Sequence, residues 1–423
     1  MSLAGSSPGE DMRNWGGNID YGDVEVHRPN SVEELAEIVA SSTRCRALGS
    51  LHSFNLITAA ETLIDTRLLP VEAVVAQDRQ SVRVSGPATY AQLAAALNAH
   101  DLALANLASL PHISVAGAIS TGTHGSGDGN QNLAAAVTGI QLLTGAGEVI
   151  ETTRGDADFA GVVVGLGAVG VITEVTLDVV PAFDVEQRVY EGPTLPVLAE
   201  FVDQIFAAGY SVSVFTHWAG QADHIWVKHR VGDSVPDASA ALLEELTPAP
   251  VRLHPIATLD ASGCTEQLGI GGRWSDRLPH FQMGFEPSAG DEIQSEFFVD
   301  RVHAAAAIEA MSLIGADIAE ALMVGEIRTV AGDDLWMSPH VGRDSLAFHF
   351  TWHPGQEAAA DAADRVADAL GPFEVRAHWG KLFDSSRIDL DQFAKRRDFV
   401  ELVQRLDPNQ VFRNDWFAEV IAR

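Results

Sequence analysis

Gly49-Ser50-Leu51-His52-Ser53-Phe54 closes a short apolar strand that the sequence predicts from Arg44 to Leu48. Two small residues at the start of this turn let the backbone approach a ligand closely, and an imidazole follows them directly. The run from Ser109 to Gly127, SLPHISVAGAISTGTHGSG, has the same character over a greater length. Such runs pack poorly in a core, because glycine has no side chain and hydroxyl groups need partners. They can line a long polar ligand with backbone N–H groups, although either run alone could also be a tight turn.

Together and in this order, the two runs resemble the FAD-binding module of the vanillyl-alcohol oxidase superfamily, and more narrowly its alditol oxidase and aldonolactone oxidase branch. In many oxidases of that superfamily, the histidine of this turn is bonded covalently to the 8-methyl group of the flavin. The resemblance assigns that role to His52 and implies covalently bound FAD. Relatives often have glycine directly before this histidine, where the present chain has Leu51. This difference concerns the shape of the turn more than the role of the histidine.

The same resemblance implies a set of cofactor contacts in these runs and in a third segment that follows Gly165. The expected FAD-binding residues are Leu48, Gly49, Ser50, Leu51, His52, Ser53, Phe54, Ser109, Ser114, Gly117, Ala118, Ile119, Ser120, Thr121, Gly122, Thr123, His124, Gly125, Gly170, Val171 and Ile172. No metal is expected, because His112 and His124 lack ligand spacing with each other or with a cysteine.

The third segment, Gly165-Leu-Gly167-Ala-Val-Gly170, matches the G-x-G-x-x-G fingerprint of dinucleotide-binding proteins. That fingerprint is meaningful where its glycines open a helix inside a βαβ unit. Here the residues from Val171 to Val180 are rich in β-branched side chains and Pro181 ends the run, which predicts a strand. We therefore do not expect a nicotinamide site. Flavin relatives have a similar run beside the adenosine end of the cofactor.

The size and charge of the chain limit the classes of protein to which it can belong. Its 423 residues exceed what one hydrophobic core usually contains, so two domains are expected. No run of about 18 uninterrupted apolar residues occurs, which predicts no membrane span. The cysteines Cys45 and Cys264 give no disulfide framework, which favours the cytoplasm. The net charge is −31, from 27 basic and 58 acidic residues. This charge argues against binding to nucleic acid or to anionic membranes and favours a neutral substrate. Adaptation to salt would explain the charge equally well.

The order of predicted strands and helices indicates an α+β protein, and the resemblance implies a two-domain FAD-binding (PCMH-type) fold with an antiparallel-sheet substrate domain. The predicted divisions are a disordered lead (1–13), an FAD-binding domain (14–182), a substrate-binding domain (183–382) and a C-terminal segment (383–423) that returns to the FAD-binding domain. A capping box from Ser31 to Glu34 predicts the start of a helix. Residues 231–260 contain four prolines and are predicted to be a long loop.

Three segments of the predicted substrate domain have polar side chains where a sheet usually has apolar ones. Glu326 and Arg328 are two residues apart on a predicted strand and share one face, as do His349 and Thr351. Lys381 follows a glycine that permits a close turn. Each pair alone is typical of a solvated sheet face.

These three segments match the alditol oxidase motifs Glu-Ile-Arg-Thr, His-Phe-Thr-Trp and His-Trp-Gly-Lys. The match implies catalytic roles for Lys381, Arg328, Glu326 and His349. It also implies substrate contacts for Ser109, Glu326, Arg328, Thr351 and Lys381.

The chemistry of alcohol oxidation explains why such residue types are needed. A cation near the reacting hydroxyl, Lys381 or Arg328, would stabilise an alkoxide-like oxygen. A neutral Lys381 could instead act as the base, because a nearby Arg328 would lower its pKa. Glu326 balances the two cations, so that a neutral substrate can bind without burying net charge.

The expected function is FAD-dependent oxidation of a terminal hydroxyl of a linear polyol, such as xylitol or sorbitol, to the aldose with reduction of O2 to H2O2. The alternative is an aldono-1,4-lactone oxidase or dehydrogenase of the same fold. A flavin-binding protein without catalysis is a further possibility, but it gives no reason for Lys381, Arg328 and Glu326 to occur together. We expect a monomer.

Overall fold

The computed structural model describes residues 12–285 and 292–423. Most of the expected lead, residues 1–11, therefore lies outside the described residues. Within the described ranges, no helix combines the length and the apolar character that crossing a membrane requires.

The first half of the chain forms two small sheets and a separate strand pair. Its strands are β1 (Glu25–His27), β2 (Cys45–Leu48), β3 (Thr62–Asp65), β4 (Ala73–Val75), β5 (Ser81–Ser85), β6 (Leu102–Ala103), β7 (Val137–Leu143), β8 (Val149–Thr153), β9 (Val171–Asp178) and β10 (Val180–Pro181). Its helices are α1 (Val32–Ser41), α2 (Tyr90–Asn98), α3 (Val115–Ser120) and α4 (Phe159–Val163). Strands β1, β3 and β2 pair in parallel, strands β4-β5-β9-β7-β8 pair antiparallel in that order, and β6 pairs with β10.

The helix starts follow local capping chemistry. The hydroxyl of Ser31 accepts a hydrogen bond from the backbone N–H of Glu34 at 3.2 Å, as predicted. The other predicted bond of the capping box, from the N–H of Ser31 to the Glu34 carboxylate, is wrong. The Glu34 carboxylate instead accepts a hydrogen bond from the N–H of Asn30 at 2.8 Å. Helix α2 has the complete box, formed by Thr89 and Gln92.

The glycine fingerprint is followed by a strand, as the sequence predicts. Strand β9 begins at Val171 and pairs antiparallel with β5 and β7, so no βαβ unit surrounds the glycines. Gly170 has a φ of +147°, and a Cβ on it would lie 2.5 Å from the carbonyl oxygen of Leu143. Glycine is required there by close packing of the backbone.

The second half is built on one antiparallel sheet. Its strands are β11 (Asp184–Glu191), β12 (Ser211–Thr216), β13 (His224–Arg230), β14 (Gly272–Arg273), β15 (Ile293–Asp300), β16 (Leu322–Val330), β17 (Ser345–Trp352) and β18 (Arg376–Ala377). Their order across the sheet is β14-β11-β13-β12-β16-β17-β15-β18. The helices are α5 (Leu195–Glu200), α6 (Val202–Phe206), α7 (Asp237–Glu245), α8 (Ala304–Ile318), α9 (Gln356–Leu370) and α10 (Arg396–Leu406).

Helix α7 corrects the predicted loop over residues 231–260. Pro236 lies at its N-cap, where the missing N–H is not needed, and the alanines and leucines after it have high helix propensity. Pro248 follows its end. The prolines therefore bound a short helix inside an otherwise irregular segment.

The two faces of the large sheet have different characters. Ile327 and Phe350 belong to the main core, together with Ile308 of α8 and Val366 of α9. The side chains between them along the strands point to the opposite face, because side-chain direction alternates in a strand. That opposite face carries Glu326, and it closes one side of the cavity described below.

The residues after α10 contact the first half of the chain. The carbonyl oxygen of Val411 accepts from the N–H of Cys45 at 2.8 Å, which extends the edge of β2. The Asn414 amide donates to the carbonyl oxygens of Leu56, Ile57 and Ala59 at 3.1, 3.1 and 2.9 Å. The buried core likewise runs through both halves of the chain. The domain limits at residues 182 and 382 stay predictions.

Candidate active site

A cavity of about 510 Å³ lies where the His52 turn, the Ser109–Thr123 run and the polar face of the large sheet meet. The predicted cofactor-binding residues that line it are Leu48, Gly49, Ser50, Leu51, His52, Ser53, Ser109, Ser114, Gly117, Ala118, Ser120, Thr121, Thr123, His124, Gly170, Val171 and Ile172. All the predicted catalytic and substrate-contacting residues line it too, namely Ser109, Glu326, Arg328, His349, Thr351 and Lys381.

Four residues predicted to contact the cofactor do not line this cavity. Phe54 and Ile119 are fully buried in the main core. A Cβ on Gly122 would lie 2.8 Å from a side-chain atom of Pro339, and Gly125 packs against Asn106. Their neighbours in sequence line the cavity, whereas these four residues do not.

The turn before His52 has an unusual backbone. Leu51 has a φ of +59°, in the left-handed region where a side chain is strained and glycine is not. The turn therefore keeps the conformation that glycine would adopt, although the residue is leucine. Nδ1 of His52 lies 2.9 Å from the carbonyl oxygen of Ser50, and the Trp15 ring stacks on the imidazole at 4.6 Å.

His52 and His112 approach each other through their Nε2 atoms. Burial lowers the pKa of His52 to about 3, which keeps its imidazole neutral near neutral pH. Because the Ser50 carbonyl oxygen can only accept, the proton of the neutral ring lies on Nδ1. Nε2 of His52 then carries a lone pair, which is what a nucleophilic imidazole nitrogen needs.

Ser114 joins two stretches of backbone that line the cavity. Its Oγ accepts from the N–H of Gly117 at 3.3 Å, and its own N–H donates to the Oγ of Ser50 at the same distance. A Cβ on Gly117 would lie 2.7 Å from the Ser114 Oγ, and one on Gly49 would overlap it. The glycines thus allow a close approach of the two stretches. The wall they form consists of hydroxyl groups and glycine backbone, a donor set that suits a diphosphate-linked cofactor such as FAD.

The polar face of the sheet places charged side chains in register. Glu326 on β16 pairs with His349 on β17, which pairs with Glu296 on β15. In the next row, Val324 pairs with Thr351, and Thr351 pairs with Gln294. Directly paired side chains on one face lie close together, so these rows form the floor of the cavity.

Arg328 is held between two carboxylates. Its Nη2 donates to Oε1 of Glu296 at 2.5 Å, and its Nε lies 3.6 Å from Oε1 of Glu326. Burial alone would lower the pKa of Arg328, but Glu326 and Glu296 outweigh burial and raise it. Conversely, burial would raise the pKa of Glu326, whereas Arg328 and His280 lower it below its usual range. Arg328 is therefore a fixed cation, and its Nη1 also lies 3.4 Å from the Ser109 hydroxyl.

Lys381 is a second cation with a different environment. Its Nζ donates to Oε1 of Gln294 and lies 5.0 Å from the centre of the Phe54 ring. Burial lowers the pKa of Lys381 to about 8; Glu296 counteracts this effect and Arg328 adds to it. The backbone directly before Lys381 is also fixed, because the N–H of Phe54 donates a hydrogen bond to the carbonyl oxygen of Gly380 at 2.8 Å. The lysine and the His52 turn are therefore parts of one connected unit.

The structure adds residues that the sequence analysis did not assign to the site. Glu296 and Gln294 line the cavity, and His280 donates to Oε1 of Glu326 at 2.8 Å. Behind His280, buried Lys228 donates to the carbonyl oxygen of Pro279 at 3.1 Å. Burial lowers the pKa of Lys228 to about 7 and that of His280 to about 4. On β15 the polar residues Gln294, Ser295 and Glu296 are consecutive, so the alternation that marked Glu326 and Arg328 gives no signal for Gln294 and Glu296.

Two family profiles match the chain. Residues 25–153 match the profile described as an FAD binding domain, and residues 291–420 match the profile described as D-arabinono-1,4-lactone oxidase. Among curated proteins, alditol oxidase of Streptomyces sp. (strain IKD472 / FERM P-14339) is 42% identical over 97% of this chain and 99% of its own length. L-gulono-1,4-lactone dehydrogenase of Mycobacterium tuberculosis (strain CDC 1551 / Oshkosh) is 28% identical over 96% of this chain and 98% of its own length.

Solved structures share the architecture. Cholesterol oxidase from B. sterolicum superposes with a TM-score of 0.79 at 14% identity, covering 98% of this chain and 97% of its own. A solvent-stable cholesterol oxidase superposes with a TM-score of 0.78 at 12% identity, and the match covers 96% of this chain and 96% of its own. At this identity the likeness concerns the fold alone. With the FAD-binding profile, it confirms the predicted α+β fold of the PCMH-type FAD-binding proteins.

Proposed function

Because this chain belongs to the alditol oxidase family, we propose that it oxidises a terminal hydroxyl group of a linear polyol to the aldehyde of an aldose, with FAD as its cofactor and O2 as the final acceptor. One observation carries the proposal: a fixed cation, Arg328, and a second cation, Lys381, line the same cavity as the FAD-type wall around Ser114. A binding protein without catalysis would gain nothing from burying these charges together.

When bound, FAD would supply the acceptor for the hydride of the alcohol. The residues of the chain hold and polarise the substrate. Arg328 is placed to stabilise negative charge on the reacting oxygen, since two carboxylates keep it charged. Ser109, Thr351 and Glu326 offer the hydroxyl and carboxylate partners that successive hydroxyl groups of a polyol need.

The cofactor would be held by the backbone and hydroxyl groups of the Gly49–Ser53 turn and the Ser114–Thr123 segment. The proposal includes a covalent bond between His52 and the flavin. It is supported by the neutral imidazole, by the lone pair on Nε2, and by the Trp15 and Ser50 contacts that fix the ring.

A second candidate is oxidation of an aldono-1,4-lactone. It is favoured by the match of residues 291–420 to the lactone oxidase profile and by the dehydrogenase relative. The polar groups described above suit the hydroxyl groups of either substrate class.

The test is anaerobic bleaching of the flavin by xylitol, sorbitol, glycerol and L-gulono-1,4-lactone, each followed by stopped-flow absorbance. Faster reduction by the two longer polyols than by the lactone, with H2O2 formed on admission of O2, is the expected result. Reduction by the lactone alone would establish the second candidate, and an unbleached flavin with every compound would refute both. NAD should neither bind nor yield NADH, because β9 leaves no helix at the glycine fingerprint.

A further inference from the structure

Strand β15 supplies a partner to each of the two cations of the site. Gln294 and Glu296 are two residues apart on one face of this strand, and both line the cavity. Gln294 accepts a hydrogen bond from Lys381, and Glu296 accepts one from Arg328. One short segment thus fixes the relative positions of both cations.

The two partners differ in charge. Glu296 is a carboxylate, whereas Gln294 is an uncharged amide of nearly the same shape. The orientation of the amide is determined by its other contact, because its Nε2 donates to Oε1 of Glu292 at 2.7 Å. Its oxygen therefore faces the Lys381 amine. This arrangement allows Lys381 to lose its proton while Arg328 keeps its charge.

We propose that Gln294 is a positioning residue that holds the Lys381 amine, through an uncharged oxygen, where Lys381 accepts the proton of the reacting hydroxyl. This inference rests on the proposed function. In the step, the carbon–hydrogen bond breaks and its electron pair leaves as hydride to the flavin, the O–H proton passes to the Lys381 nitrogen, and a carbonyl bond forms. The alcohol loses two electrons, which bound FAD would accept and O2 would finally receive.

The surroundings of Lys381 agree with this role. Three carboxylates face it, Glu292, Glu296 and Glu326, and these favour its protonated form, whereas burial and Arg328 favour the neutral form. The net result is a pKa lowered to about 8.

Three imidazoles also face Lys381, those of His52, His349 and His378, and burial lowers the pKa of each. They are therefore neutral when Lys381 titrates.

The test replaces the amide by a carboxylate. In Gln294→Glu, combined with Glu292→Gln so that the new carboxylate meets an amide and not a second carboxylate, the negative charge in direct contact with Lys381 should raise its pKa by about one unit or more. The rate of flavin reduction should rise with pH as Lys381 loses its proton, so the midpoint of the wild-type profile should move upward by the same amount. Gln294→Met, which removes the acceptor, should slow reduction about tenfold without an upward shift. Ser295→Ala, on the opposite face of β15, should leave the midpoint unchanged.

A second readout does not depend on activity. Competitive acetylation across a pH series, with mass spectrometry of the peptide that contains Lys381, reports the pKa of this amine directly. The pKa of the Lys381 amine should be higher in Gln294→Glu combined with Glu292→Gln than in the wild type, and in Ser295→Ala it should equal that of the wild type. This measurement stands even if the substrate proves to be a lactone or another alcohol.

Opposite results would overturn the inference. A reduction rate that falls with pH through the Lys381 titration would show that the cation is the active form. An unchanged acetylation midpoint in Gln294→Glu combined with Glu292→Gln would show that the residue does not control the amine. Failure of polyols to reduce the flavin, with the acetylation shift present, would refute the proposed function and leave the role of Gln294 intact.

Discussion

The Nε2 atoms of His52 and His112 lie 3.0 Å apart at the edge of the cavity, with the two imidazole planes tilted by 58°. Since Nδ1 of His52 is directed at the Ser50 carbonyl oxygen, one hydrogen links the two Nε2 atoms, and His112 donates it. The contact fixes the orientation of the His52 ring, and under the proposed covalent linkage His112 has to release Nε2 before that atom bonds to the flavin.

We expect flavin linkage to stay efficient at acidic pH. An ordinary imidazole would be largely protonated at about pH 5.5, but His52, whose pKa burial lowers to about 3, stays a nucleophile there. Apoprotein incubated with FAD between about pH 8 and about pH 5.5 should retain the flavin in the acid-precipitated pellet at every pH. His52→Ala should release all of it into the supernatant. A steep loss of linkage below about pH 6.5 in the wild type would contradict this prediction.

The left-handed backbone of Leu51 predicts an inverted order of stability for two small substitutions. Leu51→Ala and Leu51→Gly remove the same contacts, but alanine keeps the strain of a positive φ. The glycine variant should therefore be more stable by about 1 kcal/mol in urea unfolding. The same pair at Ser53, whose φ is not positive, should give the opposite order. Equal stability of the two Leu51 variants would show that the turn relaxes to another conformation.

Lys381 and Thr351 should affect different steps. Lys381→Met removes the group that responds to the reacting oxygen and should slow flavin reduction by about 10²- to 10³-fold. Thr351→Val removes one neutral hydroxyl and should cost about 1 kcal/mol, mostly in apparent affinity. Anaerobic stopped-flow across substrate concentrations separates the two effects. Wild-type reduction rates at saturation in Lys381→Met would exclude a chemical role for the lysine.

Asn414 should contribute more to stability than its exposed neighbour. Asn414→Ala leaves three carbonyl oxygens without their shared donor, which should lower the free energy of unfolding by about 2 to 3 kcal/mol. Asp415→Ala, which removes a solvent-exposed ion pair with Arg44, should have no measurable effect. Denaturant unfolding of the holoenzyme measures the free energy of unfolding of each variant. A similar decrease in both variants would show that the Asn414 hydrogen bonds contribute no special stability.

The local patterns of the sequence predicted most elements of the fold. Strand β9 occurs at Val171–Asp178, inside the run predicted as a strand, and helix α1 begins directly after the predicted cap Ser31. The loose, proline-containing pattern of residues 231–260 predicts a loop, whereas helix α7 forms between Pro236 and Pro248, which mark its limits. Proline prevents a helix across its own position, not between two prolines.

The site was only partly predictable, because contacts across strands depend on register. Glu326 and Arg328 could be placed on one face from their spacing alone. That Glu296 contacts Arg328 depends on the pairing of β15 with β17 and of β17 with β16, which no local pattern encodes. The link from Lys228 through His280 to Glu326 is likewise formed by a loop that folds back over the sheet.

The return of Asn414 to the segment after β2 has a consequence for how the chain is made. Its amide donates to the carbonyl oxygen of Ala59, which precedes it by 355 residues. At a translation rate of about 5 to 20 residues per second, the ribosome produces this donor roughly 20 to 70 s after its acceptors. During that interval the nascent segment around Ala59 lacks its native partner. The flavin-binding half therefore gains the contacts of Asn414, which hold the segment after β2, only after nearly all of the chain has been synthesised.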